Sequence, residues 1–131
     1  MKPQKYSPAH ESPSLCELVC SNSLKSADVY ANACGLLKEE MRILGSLTME
    51  AAAHTAVPAG GALAVDREKF AAYVTEKIRG EKNIRVVTEE IVKIPEVSGD
   101  EYAIIATGPL TADALAADIE QKTGRNLHFF D

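Results

Sequence analysis

The run Ala62-Leu63-Ala64-Val65 gives way at Asp66 to a different period, with Lys69, Phe70, Val74 and Ile78 following until Gly80. A short apolar run, an acidic cap and an amphipathic stretch together predict a strand that feeds an N-capped helix. The same switch of period recurs along the chain. From Ser26 to about Ala56, Val29, Ala33, Leu36, Leu37, Met41, Leu44, Leu47 and Met49 fall mostly three and four residues apart, which is helical spacing. Gly35 and Gly45 each weaken a helix interior by about 1 kcal/mol, so two or three short helices are expected there rather than one rod. Val57-Pro58-Ala59-Gly60-Gly61 then forces a turn.

Further on, Ile84 to Thr88 and Glu90 to Ile94 are rich in β-branched residues and suggest two strands or one bent strand closed by Pro95. Glu101 to Gly108 has the apolar character of a buried parallel strand leading into a Gly-Pro turn. Thr111 is the expected cap of a helix from Ala112 to about Thr123, which Gly124 ends, and Leu127 to Phe130 opens another strand. Helix and strand alternate, so the expected class is α/β. Because parallel strands need crossover helices, the expected sheet is short and parallel, with Ile104 to Thr107 in it.

The 131 residues suit one domain, 1–131, in which 1–14 is an extended loop, 15–65 carries the Cys-Ser-Asn-Ser segment and helices, and 66–131 forms a helix-strand-strand-helix portion. Pro3, Pro8 and Pro13 keep the first part out of helix and sheet. With 46% apolar and 25% charged residues the chain can form a core, and its net charge of −5 gives no basic excess of the kind that marks many nucleic-acid binders. Three cysteines with no signal segment ahead of them argue against a secreted disulfide framework and for a reducing cytoplasm. The longest uncharged stretch, Ala51 to Val65, is broken by Pro58, Gly60 and Gly61 and is too short for a membrane helix.

Chemistry has few places to sit. Cys16 and Cys34 read most simply as small core residues. Cys20 ends an apolar run beside Ser21, Asn22 and Ser23, with Lys25 near in sequence, a setting in which a thiol can be an accessible nucleophile. The Gly60-Gly61 turn and the Thr107-Gly108 strand end could each let backbone approach a ligand, although ordinary chain reversal explains both. His10, His54 and His128 are scattered and no Cys-x-x-Cys pair occurs, so no metal site is expected. By residues alone the reading stops at a soluble α/β domain.

Five segments, in order, carry more. Ser7-Pro8-Ala9-His10, Glu17 to Lys25 with its Val-Cys-Ser-Asn-Ser core, Gly35 to Arg42, Val57 to Arg67 and Ile104 to Thr111 resemble the folate- and FAD-dependent tRNA (uracil-5-)-methyltransferase family. The resemblance spans nearly the whole chain. It implies a partial Rossmann-like FAD-binding domain with inserted helices, cytoplasmic, from an enzyme that reduces FAD with NAD(P)H and uses methylenetetrahydrofolate to methylate a T-loop uridine of tRNA. Cys20 matches a cysteine implicated in the family's catalysis, either by attack on the uracil ring or by guarding the flavin intermediate. Ser21, Asn22, Ser23, Gly60, Gly61, Thr107 and Gly108 resemble segments lining the flavin pocket.

Departures from the family pattern accompany these matches. The family's initial strand and G-x-G-x-x-G phosphate turn have no counterpart here, and Met1-Lys2-Pro3 resembles the Met-Arg-Pro that follows the ribose-binding acid. A large C-terminal portion with a second functional cysteine is also without counterpart. The FAD site is therefore expected to be incomplete and the chain inactive alone, with a complementing chain that carries the missing segments as its partner. The alternatives are a non-catalytic remnant or binding module, and the related FAD-dependent proteins that modify tRNA wobble uridines.

Overall fold

The computed structural model describes residues 6, 9–108 and 111–124. They fall into two compact units that part between Val87 and Thr88. In the first unit the elements are β1 (Ser23–Ser26), α1 (Ala33–Ile43), α2 (Leu47–His54), β2 (Ala56–Val57), β3 (Ala62–Val65) and α3 (Arg67–Gly80). The second contains α4 (Asp113–Thr123). Helices and one small sheet give the α/β class that the alternating periods predict.

The sheet corrects the expected strand direction. Its order is β1-β3-β2 and both pairings are antiparallel, Ala56 facing Val65 on one side of β3 and Ser23 facing Ala64 on the other. The reason is local. Only 58–61 separate β2 from β3, and a loop that short closes a hairpin where a parallel pair would need a crossover of a dozen or more residues. Gly60 takes a φ of 59° in that loop, and the Ala62 amide donates to the Ala59 carbonyl at 3.1 Å. The β1–β3 register slips between Ser23 and Ser26, where Lys25 stands at φ 69°, the mark of a bulge.

Three more strand expectations are corrected. Ile84 to Thr88, Glu90 to Ile94 and Glu101 to Thr107 make no ladder among the described residues, Ile104 to Thr107 included. β-branched residues favour a strand only where a neighbour supplies the ladder, and none of the described residues supplies one here. The strand expected over Leu127 to Phe130, and residues 1–5, 7 and 8 of the extended loop expected over 1–14, lie outside the described residues.

The helices follow the sequence more closely. α1 stops at Leu44 and α2 starts after Ser46, with Gly45 at φ 73° between them. The Asn32 side chain caps α1 by accepting from the Cys34 amide at 2.9 Å, and Asp66 caps α3 by accepting from the Lys69 amide at 3.1 Å. Gly124, at φ 68°, ends α4 in the left-handed cap glycine permits. Thr111 is a correction, since Ala112 is the N-cap of α4 and makes no side-chain cap bond, while the Thr111 hydroxyl donates to the Gly108 carbonyl at 2.8 Å.

The core of the first unit lies where α2, α3 and β3 meet. Phe70 and Val65 are fully buried among Met49, Ala51, Ala52 and Val74, with Leu18, Leu24 and Met41 packed around them. Two adjacent alanines on α2 leave room for the Phe70 ring. At the surface of this contact the Tyr73 hydroxyl donates to Glu50 at 2.6 Å, and Lys77 reaches the same carboxylate at 2.8 Å. His54 stacks on Tyr73 with ring centroids 4.9 Å apart. In the second unit α4 buries Leu115 and Ile119, and its Asp118 accepts from the Ile94 amide at 2.8 Å while Lys122 donates to the Ile94 carbonyl at 3.2 Å. That amide holds the Asp118 carboxyl below its ordinary range, with Lys122 adding to the effect.

Candidate active site

Cys20 lies three residues ahead of β1, and the chain around it is pinned to the far end of β3. The Asn22 Nδ2 donates to the Val65 carbonyl at 3.0 Å, and the Val65 amide donates back to the Asn22 carbonyl at the same distance. Side chain and backbone of one residue thus extend the β1–β3 ladder beyond Ser23. Two residues earlier, the Cys20 carbonyl accepts from the Arg67 guanidinium at 2.8 Å. Leu18 anchors the same segment in the core. The result is a backbone held at three points with an exposed, unbridged thiol on it.

Arg67 is the residue that reading by period and spacing leaves without a role. It stands at the first position of α3, directly after the Asp66 cap, 47 residues from its partner. The one available signal is its place at the end of the Val57 to Arg67 segment. Lys25 sits in the bulge of β1 with a left-handed φ of 69°. The Lys69 amide, by donating to the Asp66 carboxyl, holds it below its ordinary range.

The other cysteines are set apart by environment. Partial burial pushes the Cys16 thiol above its ordinary pKa, which disfavours the thiolate, although much of the residue is exposed. Cys34 is exposed in the first turn of α1, where its carbonyl accepts from Lys38 at 2.7 Å. Both therefore lie at the surface, and their expected place in the core is corrected. α1 turns its tight contact at Gly35, and the Cys16 stretch is a run of turns outside the Phe70 cluster.

The expected flavin-lining residues divide. Ser21 accepts from the Ser23 amide at 3.1 Å and Ser23 accepts from the Lys25 amide at 3.2 Å, so both hydroxyls shape the approach to β1. Gly60 and Gly61 are in the hairpin loop, at the opposite end of the sheet, where the Gly61 carbonyl accepts from the Ala27 amide at 2.9 Å. Three residues of β-strand rise, about 10 Å, separate the level of Gly61 from that of Ala64, which faces Ser23. A side chain at Gly60 or Gly61 would meet nothing within 4 Å. Thr107 and Gly108 belong to the second unit, where the Thr107 and Thr111 hydroxyls share a hydrogen bond of 2.6 Å.

A cavity of about 600 Å³ adjoins Arg67, and among the described residues Glu11, Glu17 and Glu68 line it with Arg67 as the one cation. Three carboxylates suit no pyrophosphate. The described residues of the first unit thus place an exposed thiol at one end of the sheet and an open glycine turn at the other.

Comparison with known proteins extends this picture. A family described as glucose inhibited division protein A matches residues 6–130. The chain is 59% identical over 131 residues to methylenetetrahydrofolate–tRNA-(uracil-5-)-methyltransferase TrmFO of Geotalea uraniireducens, covering 100% of this chain and 29% of that protein. It is 58% identical over 132 residues to the protein of the same name from Lactobacillus helveticus, 100% of this chain and 31% of the relative. With that of Geobacter sulfurreducens it shares 56% over 131 residues, again 100% of this chain and 29% of the relative. The chain spans less than a third of the length of these relatives.

Proposed function

The chain belongs to the glucose inhibited division protein A family, and from that premise we propose that it is a portion of a methylenetetrahydrofolate- and FAD-dependent methyltransferase that forms 5-methyluridine in the T loop of tRNA. The observation that carries the reading is identity of 56 to 59% along the whole chain to proteins bearing that methyltransferase name. The exposed thiol of Cys20, on a backbone pinned by Asn22 and Arg67, supports the residue assignment.

In this reading Cys20 is the catalytic nucleophile. A thiolate adds to C6 of the uracil ring, the C5–C6 π electrons move toward C5 and the O4 carbonyl, and C5 becomes the nucleophile that methyl transfer requires. The carbon arrives at the formaldehyde level, so the C5 proton and the folate leave, and a hydride of the kind that reduced FAD would supply converts the carbon to a methyl as the thiolate departs and the double bond is restored. The contribution of Arg67 is positional, since it fixes the Cys20 carbonyl and leaves the side chain directed by a rigid backbone. Asn22 acts on the same segment through Val65.

Ser21, Asn22, Ser23, Gly60, Gly61, Thr107 and Gly108 contribute flavin-facing surface in the intact enzyme, while the phosphate cradle, NAD(P)H and folate sites are supplied by polypeptide beyond this portion. Expressed alone, the 131-residue chain is then inactive and binds FAD poorly, because charge-assisted contacts worth roughly 1.5 to 3 kcal/mol each are lost. The test places the chain in the full-length Geotalea uraniireducens protein in place of its matching segment and measures methylation of a T-loop uridine. Cys20→Ala should abolish turnover, and Cys16→Ala and Cys34→Ala should retain it. Full activity in Cys20→Ala would leave the cysteine a structural role only.

A further inference from the structure

We propose that Glu17 is a positioning residue for the Cys20 thiol: its carboxylate closes residues 11–17 into a loop and so sets the stretch that leads to the nucleophile. The proposal rests on the reading of Cys20 as that nucleophile. The Glu17 Oε1 accepts from the Glu11 amide at 2.8 Å and from the Ser12 amide at 3.0 Å. Within the loop the Ser12 hydroxyl accepts from the Ser14 amide at 3.1 Å, and the Leu15 amide donates to the Thr75 hydroxyl of α3 at 2.9 Å. Thr75 is itself held, since its hydroxyl donates to the Ala71 carbonyl at 2.6 Å. The loop is therefore tied to its own chain at Glu17 and to α3 at Leu15.

The two anchors on α3 do not by themselves place the thiol. Residues 11–21 belong to no helix or strand, so no ladder sets their path. Thr75 and Arg67, which hold Leu15 and Cys20, stand eight positions apart on α3, about 12 Å of helical rise. The chain from Leu15 to Cys20 reaches roughly 17 Å when extended, which leaves slack between the anchors. Leu18 takes up part of it by packing against the core. Glu17, its neighbour, takes up more by fixing the same stretch to residues 11 and 12. A carboxylate suits this task, because one oxygen receives two amide donors and its charge strengthens both bonds. Glu17 and Arg67 also line the same cavity, so both controls on the Cys20 backbone act from one place.

The test uses Glu17→Gln, Glu17→Asp and Glu17→Ala in the full-length Geotalea uraniireducens chimera. Glu17→Gln keeps the reach of the acceptor oxygen and loses the charge, whereas Glu17→Asp keeps the charge and falls one methylene short of the two amides. The expected kcat for T-loop methylation is about 10- to 100-fold lower in Glu17→Asp and Glu17→Ala and within about threefold of the parent in Glu17→Gln, with KM for tRNA unchanged. Hydrogen exchange of the Glu11 and Ser12 amides, read by mass spectrometry, should quicken by about 10-fold in Glu17→Asp and Glu17→Ala and stay near the parent in Glu17→Gln. Should Glu17→Ala fail to fold, the pair Glu17→Asp and Glu17→Gln decides. Glu17→Asp at least as active as Glu17→Gln overturns the proposal, because charge and not reach then matters. So do parental kcat in Glu17→Asp, a loss confined to KM, or unchanged exchange in that variant. Cys20→Ala separates the two readings: retained turnover there removes the nucleophile and this proposal together. Lost turnover in Cys20→Ala beside parental kcat in Glu17→Asp removes the role of Glu17 alone.

Discussion

Replacing Gly35 with alanine should lower the stability of the first unit by about 2 kcal/mol. Gly35 is the one buried residue of α1, and a Cβ built there would lie 1.8 Å from the Asp28 carbonyl oxygen, 2.3 Å from its carbon and 2.9 Å from the Val29 nitrogen. Ordinary contact is about 3.5 Å, so helix and loop must separate by well over 1 Å. The loop is poorly placed to yield. The Asp28 carboxylate accepts from the Tyr30 and Ala31 amides, both at 2.9 Å, and Asn32 caps α1 directly behind them. Overpacking of this kind costs about 1 to 3 kcal/mol and sometimes more, while the better helix propensity of alanine returns at most about 1 kcal/mol. Taking the cost at its upper end leaves a loss of about 2 kcal/mol. At roughly 4 to 8 °C per kcal/mol for a unit of this size, the melting temperature should fall by about 10 °C, read by circular dichroism at 222 nm. Gly80→Ala is the control, since a side chain there meets nothing within 4 Å and the residue ends a helix. It should be neutral or slightly stabilising. A Gly35→Ala protein that melts at or above the parent would refute the close approach of α1 to Asp28.

The remaining predictions concern the thiols, the clamp and acid stability. Iodoacetamide should modify Cys16 more slowly than the same thiol after unfolding in urea, because partial burial raises its pKa and lowers the thiolate fraction, and peptide mass spectrometry at pH 8 measures this. Asn22→Ala should lose about 1 kcal/mol in a urea melt through its missing bond to Val65; an unchanged midpoint would restrict Asn22 to ligand contact. Glu50 titrates below its ordinary range, first because Lys77 and then because Tyr73 bond to the ionised form. Its contribution is therefore full above the usual carboxylate pKa and disappears as pH falls through the lowered folded value, so Glu50→Gln should flatten that part of the stability profile, measured by melts between pH 2 and 6.

Sequence alone determined the local features of this protein. Asp66 before an amphipathic run, Gly45 between two helical stretches and Gly124 after a third each act on their own backbone, through a cap bond or a left-handed φ, and the structure places them as expected. Family membership was equally legible, because five ordered segments need no coordinates to be compared. The thiol segment was visible as Val-Cys-Ser-Asn-Ser. What holds it was not, because Asn22 reaches Val65 across 43 residues and Arg67 reaches Cys20 across 47, and no local pattern encodes a partner so far away. Strand direction was also a tertiary matter. The alternating periods suggested crossovers, but β3 receives β2 through a hairpin and β1 on its other edge, so both pairs are antiparallel. Ile104 to Thr107 shows the same division most sharply: its composition states that it can be a strand, and only a neighbouring strand can make it one, because the ladder belongs to the pair and not to either segment.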